Sequence, residues 1–258
     1  MTITYRGVVV RNIKSNYNYD VDAYNYIRSV ESADGQTLET GVKDAINTFI
    51  VGCKTDGIWD AIKAACIMAG ARTLNGALVP LVGPDPTNYN FVNGDYNRKL
   101  GLVGDDATKV LDSNRANNAD PKDNNHNAVY MPEQTTTTAT VKIIGSLYAQ
   151  GFTAITRYFN GTVYVQNRYQ PDVSAGAYST TLPFLGTSRS SSASFAYRIR
   201  GSTVAVAATS ETPGSDNILL KTGVNGRISF YSIGEALDLA LLDSRVSTLM
   251  TAIGAAIP

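Results

Sequence analysis

The sequence predicts a mainly β fold of two packed antiparallel sheets, with two helices before the sandwich and one after it. Three observations carry this. Short runs of strand-forming residues fill residues 72–231, with turn signals roughly every ten residues, the spacing of a sandwich or barrel. No strand–helix–strand alternation interrupts them, so a parallel sheet is not expected. Helical periodicity is confined to the flanks. The composition agrees: among 258 residues there are 15 Tyr and 22 Gly, and only 17% are charged. Low charge with much Tyr and Gly suits strands joined by many turns.

Taken in chain order, Thr2–Ile13 reads as a strand centred on Val8, Val9 and Val10. Asn16–Ile27 alternates apolar and polar residues, with one phase slip at Ala23–Tyr24 that suggests a β-bulge or a turn. Tyr17, Tyr19, Tyr24 and Tyr26 crowd this segment. Tyr is enriched at interfaces, so these four are the candidate partner-binding residues. Residues 1–36 are therefore read as a leader packed on another chain, or equally as an edge strand folded back on its own domain. Residues 37–258 are the body. Val42, Ala45, Ile46, Phe49 and Ile50 follow the amphipathic helical pattern, with Thr40 as N-cap. After a break at Lys54–Gly57, Asp56 is expected to cap a second helix whose face is Ile58, Ala61, Ile62, Ala65 and Cys66. Trp59 in its first turn is read as core rather than as a sugar platform.

The expected strands are Leu74–Leu81, Lys109–Asp112, Asn127–Met131, Ala139–Leu147, Thr153–Tyr158, Gly161–Arg168, Ser194–Arg200, Ser202–Ala208, Asn217–Lys221 and Gly226–Tyr231. Asn160-Gly161 and Arg200-Gly201-Ser202 mark hairpin turns. A last helix is expected over 232–254, with Ser232 and Glu235 at capping-box spacing. Its apolar face, including Leu237, Leu241, Leu242, Leu249 and Ile253, suits either docking on its own sheet or a three-fold bundle.

Charge narrows the function. Basic and acidic residues balance at 22 each. A nucleic-acid surface needs a basic excess, and docking on an anionic membrane needs the same. No run of 18 apolar residues predicts a membrane span, and the N-terminus lacks the pattern of a signal peptide, so synthesis in a cytosol is expected. Cys53 and Cys66 lie on predicted apolar faces and read as buried free thiols. His126 is the single His. It rules out His-based metal clusters and reads as polar packing. Asp112–Asn125 and Asp105–Asp106 are rich in oxygen ligands but lack the EF-hand order, so no calcium or other cofactor is expected. Gly101–Gly104 lacks the Lys of a phosphate loop.

The stretches Gly104–Asp112, Asn125–Tyr130, Ile143–Gly145 and Gly226–Leu237 resemble successive strands of a concanavalin A-like, laminin-G-type jelly roll. The order of Asp56–Leu102 followed by Phe230–Ile253 is similar to a group of tailed-bacteriophage virion proteins that carry this sandwich. The resemblance implies a two-sheet jelly roll, placement on a virion, other virion proteins and further copies of this chain as partners, and binding of a host-surface glycan. A tail or baseplate appendage is the leading expectation; a capsid decoration protein without sugar binding is the alternative. Relatives of this sandwich that cleave glucans carry a Glu-x-Asp-x-x-Glu strand. That spacing is missing here, so an enzyme is not expected. A sugar site needs polar groups for hydroxyls and an aromatic face for the ring. The candidate ligand-binding residues are Asp85, Asn88, Tyr89 and Tyr96 in one loop, Asn117 and Asp120 in a second, and Tyr169 and Tyr178 in a third. Ordinary solvated turns are the competing reading of these loops.

Overall fold

A computed structural model describes residues 19–133, 139–146, 151–178 and 183–258. The expected strand Thr2–Ile13, and Tyr17, lie outside the described residues. The helices are α1 (Val21–Asp34), α2 (Thr40–Thr55), α3 (Leu74–Ala77) and α4 (Leu239–Ala256). The first strands are β1 (Ile62–Ile67), β2 (Thr87–Tyr89), β3 (Tyr96–Asn97), β4 (Gly101–Val103), β5 (Val110–Ala116), β6 (Asn125–Tyr130), β7 (Val141–Gly145) and β8 (Thr153–Arg157). Then come β9 (Thr162–Asn167), β10 (Val173–Ala177), β11 (Phe184–Arg189), β12 (Ser194–Ile199), β13 (Ser202–Ala207), β14 (Asn217–Leu220), β15 (Arg227–Ile228) and β16 (Phe230–Gly234).

The mainly β antiparallel sandwich expected from the sequence is the fold. A middle sheet runs β1-β16-β6-β11-β12-β13 and an outer sheet runs β10-β9-β8-β7-β14-β5-β2. A small third sheet, β15-β4-β3, lies beside them. Alternation divides the side chains of the middle sheet between two cores. Val129, Leu185, Phe195, Tyr231 and Ile233 face the outer sheet and meet Leu111, Ile155, Val163 and Leu220. On the opposite face Ile62, Ala65, Ile67, Phe184 and Phe230 meet α1, α2 and α4. Ion pairs pin the helices in place. Arg245 of α4 donates twice to Asp56 after α2, at 2.7 and 2.8 Å. Arg198 of β12 donates to Asp243 of α4 at 2.7 Å.

Several elements differ from the sequence reading. The segment from Val21 is a helix, not an alternating strand. Asp20 caps it by accepting the Asp22 N–H at 3.0 Å, and Ala23, Tyr26, Ile27 and Val30 repeat at helical spacing into the core. The expected second helix is strand β1. Ala64, Cys66 and Met68 enter the inter-sheet core while Ala65 and Ile67 face the helices. A strand buried on both faces reads as an unbroken apolar run, which a helical pattern also fits. Asp56 ends α2 rather than starting a helix. Leu74–Ala77 is a short helix capped by Thr73 instead of a strand. The last helix starts at Leu239, where the Asp238 carboxylate accepts from Ala240 and Leu241 at 2.7 and 3.3 Å. Ser232 belongs to β16. By length and composition α4 could span a membrane; here Leu242, Val246, Leu249 and Ile253 are buried in the helix-side core. Strands β2, β3, β4, β10 and β11 were not expected.

Two local features shape the edges. Arg200 and Gly201 both have positive φ, 50° and 73°, in the tight turn between β12 and β13. Only residues tolerant of that region fit such a turn, and glycine does so at least cost. At the far side, among the described residues, β13 pairs only with β12, and none of its own residues is charged.

Phe49 joins the helix layer to the middle sheet: it is 2% exposed and meets the Phe230 ring edge-on at 5.8 Å. Phe49→Ala should lower the unfolding free energy by about 3–5 kcal/mol, read from urea denaturation. A loss under about 1 kcal/mol would contradict this packing.

Candidate functional site

Helices cover one face of the middle sheet and the outer sheet covers the other. Among the described residues, the far face of the outer sheet is left without a covering layer. Its strands alternate accordingly. In β9, Val163 and Val165 point into the core, whereas Thr162, Tyr164 and Gln166 are half-buried on the open side. Pairing then sets a cross-strand row: Lys142 lies opposite Thr156, and Thr156 opposite Tyr164. Tyr158 packs against Tyr164 with ring centroids 4.4 Å apart, tilted by 53°. The Tyr158 hydroxyl donates to Asp172. That carboxylate, as acceptor, holds the phenol proton on and pushes its pKa up to about 12. Phe159 at the β8–β9 hairpin tip is 65% exposed. At the opposite margin Tyr89 is 49% exposed, two residues along β2 from Thr87, which pairs with Asp112. The open face thus has tyrosines near both ends and hydrogen-bonding side chains between them.

The residues proposed from sequence are dispersed. Tyr89 and Asp85 are exposed at the margin of this face, where the Asp85 carbonyl accepts from Asn114 at 2.8 Å. Asn88 ties its own loop, donating to the Phe91 carbonyl and accepting the Phe91 N–H, both at 3.0 Å. Tyr96 donates to the Ala71 carbonyl at 2.9 Å. Asn117 is buried, donating to the Gly151 carbonyl at 3.1 Å and accepting from Arg168. Asp120 is buried against the Arg115 guanidinium. Tyr178 donates to the Met131 carbonyl at 2.7 Å. Tyr169 packs near Phe195, centroids 6.5 Å apart. Tyr96, Asn117, Asp120 and Tyr178 therefore hold loops together. Of the tyrosines expected to meet a partner, Tyr26 is buried in the helix-side core and Tyr19 donates to Asp44 at 2.9 Å. Tyr24 is half-buried on α1.

Tyr158, Tyr164, Thr156 and Lys142 are not among the residues expected from the sequence, which all lie in loops or in the leader. Their signal was the polar phase of alternating strands, legible in Thr162-Val163-Tyr164-Val165-Gln166.

The titratable groups of the interior are structural. His126 Nδ1–H donates to the Glu235 carbonyl at 2.5 Å, which leaves Nε2 to accept the Ser232 hydroxyl at 2.7 Å. Burial pushes its pKa down to about 4. Cys53 and Cys66 are free and buried, and burial pushes both thiols up to about 12. Asp105 accepts the N–H groups of Ala107, Thr108 and Lys109 at 2.9–3.0 Å, a turn that occupies its carboxylate. No group of three or more His, Cys, Asp or Glu suited to a metal occurs among the described residues.

No protein-family model matches the chain, and no curated protein matches it. Solved structures are similar at low identity. Trypanosoma rangeli sialidase in complex with sialic acid is 8% identical with a TM-score of 0.49, over 74% of this chain and 33% of the sialidase. The botulinum neurotoxin serotype D binding domain is 12% identical with a TM-score of 0.49, over 76% of this chain and 52% of the other. The binding domain of botulinum neurotoxin DC in complex with SialylT is 14% identical with a TM-score of 0.40, over 58% and 42%. The chain spans between a third and about half of these proteins. The expectation that the chain is not an enzyme is corrected at this point and not retained: several similar structures are sialidases.

The buried imidazole gives a pH dependence. Native His126 stays neutral down to about pH 4, whereas in the unfolded chain it takes up a proton near pH 6.5. Between those values the unfolded state binds more protons, so stability is full above about pH 6.5 and falls towards pH 4. Urea unfolding of the wild type should lose about 3 kcal/mol more across that window than His126→Gln does. Equal losses would show that the buried neutral imidazole is misassigned.

Proposed function

We propose that the chain is a glycan-binding module whose ligand lies across the open face of the outer sheet. The Tyr158–Tyr164 pair on that face carries the reading. A sugar ring presents C–H groups to an aromatic face and hydroxyls to polar neighbours. Tyr164 supplies the first, and Thr156, Gln166 and Asp172 surround it with the second. Balanced charge suits a polar, uncharged polymer better than a nucleic acid.

The setting we propose for this module is a virion, made in a host cytoplasm and carried on the tail or baseplate. Support comes from the likeness of Asp56–Leu102 and Phe230–Ile253 to tailed-phage virion proteins. Antibody labelling of virions tests it: label at the tail supports a host-attachment role, label over the head favours a decoration protein, and no label removes the virion setting.

A glycan array with the full chain should give binding, and Tyr164→Ala should weaken the strongest hit about tenfold or more, a loss of about 1.4 kcal/mol or greater. Thermal unfolding of the variant would be followed in parallel. Binding that survives Tyr164→Ala unchanged would move the site away from this face.

A further inference from the structure

Beside the tyrosine pair, the open face holds a cavity of about 220 Å³ lined by Asp106, Thr140, Val141, Lys142, Leu219 and Lys221, among others. Lys142 comes from β7 and Lys221 directly follows β14. The two strands pair, and the Lys221 N–H donates to the Ile143 carbonyl at 2.9 Å. Two lysine side chains thus belong to the lining of one hollow. The Lys142 ammonium donates to the Ser146 carbonyl at 2.6 Å and stands 5.1 Å from the centre of the Phe152 ring. Neither lysine belongs to an ion pair among the described residues.

That arrangement has an energetic consequence. Burial and the neighbouring charge of Lys221 both disfavour the Lys142 ammonium, whereas the Asp172 carboxylate favours it. Of the charged residues on the lining two are lysines and one, Asp106, is an acid, while the Asp172 carboxylate acts on Lys142 from outside the lining. An oxyanion seated between the lysines would offset the repulsion at a place already partly removed from water. Lys142 also sits two strands from Tyr164, about 10 Å at ordinary strand spacing. Hollow and aromatic face are therefore within reach of one short oligosaccharide.

We propose that the Lys142–Lys221 hollow binds the oxyanion of an acidic sugar residue, a carboxylate or a sulfate, in a glycan that also lies on Tyr164. This deepens the glycan reading and rests on it. Specificity for acidic over neutral glycans is then set by two cations on strands rather than by the loops.

Calorimetric titration of the full chain tests it with three probes: maltohexaose, hexagalacturonate and a heparin hexasaccharide. At about 50 mM salt at least one acidic probe should bind about tenfold or more tightly than maltohexaose, and about 500 mM salt should erase most of that advantage. Hexagalacturonate against heparin separates carboxylate from sulfate. Lys221→Gln and Lys142→Gln should each remove the preference, and Lys221→Arg should keep it. Thermal unfolding would verify that each variant is folded. Equal or better binding of maltohexaose, or a preference unchanged in folded Lys221→Gln, overturns the proposal. A neutral hit lost in Tyr164→Ala would leave the glycan reading standing while this one fails. An acidic preference that ignores Tyr164→Ala would detach the hollow from the Tyr164 face and overturn the proposal of one glycan lying on both. Binding of no sugar by the wild type would end both.

Discussion

The central strands of the middle sheet are buried on both faces, and the rest of the architecture follows from that. Every residue of β11 and β16 is buried. Such a sheet needs two covers, and the chain supplies one of each kind. Amphipathic α1, α2 and α4 close one side, and a second sheet closes the other. Once the helices are spent on the middle sheet, none remains for the far side of the outer sheet. That face must then be soluble by itself, and its alternation places Thr, Tyr, Gln and Lys there. The candidate site is a consequence of the layering.

Between the sheets the packing is not uniformly apolar. Arg189 is fully buried yet satisfied without a carboxylate: it donates to the carbonyls of Asn167, Ser191, Ser194 and Ala208 at 2.8–3.2 Å. Its guanidinium lies 5.4 Å from the centre of the Phe195 ring. Arg168, also buried, is met by Asn117, Thr153 and the Asp120 carbonyl. Burial pushes its pKa down to about 10, so it stays charged at neutral pH. Asn167, Thr187 and Asn127 continue this polar end as a hydrogen-bonded chain between strands. Replacing one partner there leaves the others buried and unpaired, which fixes the register of β6, β9 and β11 more firmly than apolar contact would.

How much of this was legible depends on how each segment is buried. Strands with one wet face, such as Thr162–Asn167 and Ser194–Ile199, show clean alternation and were found. Ile62–Ile67 was not, because burial on both sides erases its period of two. Val21–Asp34 was misread because Tyr at 24 and 26 and Asn at 25 mimic alternation over a stretch shorter than two helical turns. The capping signal at Ser232 failed for a different reason: the hydroxyl is taken by His126 from a neighbouring strand, a partner 106 residues away that local spacing cannot reveal. Asn117 and Asp120 drew attention as polar loop residues, but Arg168 and Arg115 claim them. The site itself was hidden because its members sit singly on separate strands and meet only through pairing.

The helix layer is assembled from segments on opposite sides of the sandwich in sequence. Roughly 180 residues separate the end of α2 from the start of α4. Ribosomes add about 5–20 residues per second, so α2 waits on the order of ten to forty seconds for its neighbour. Phe184 is made late in that interval, and until α4 follows roughly 55 residues later it lacks that cover, although β11 already exists. The nascent chain is thus most exposed to chaperones, and to mispairing, at the stage when it is nearly finished.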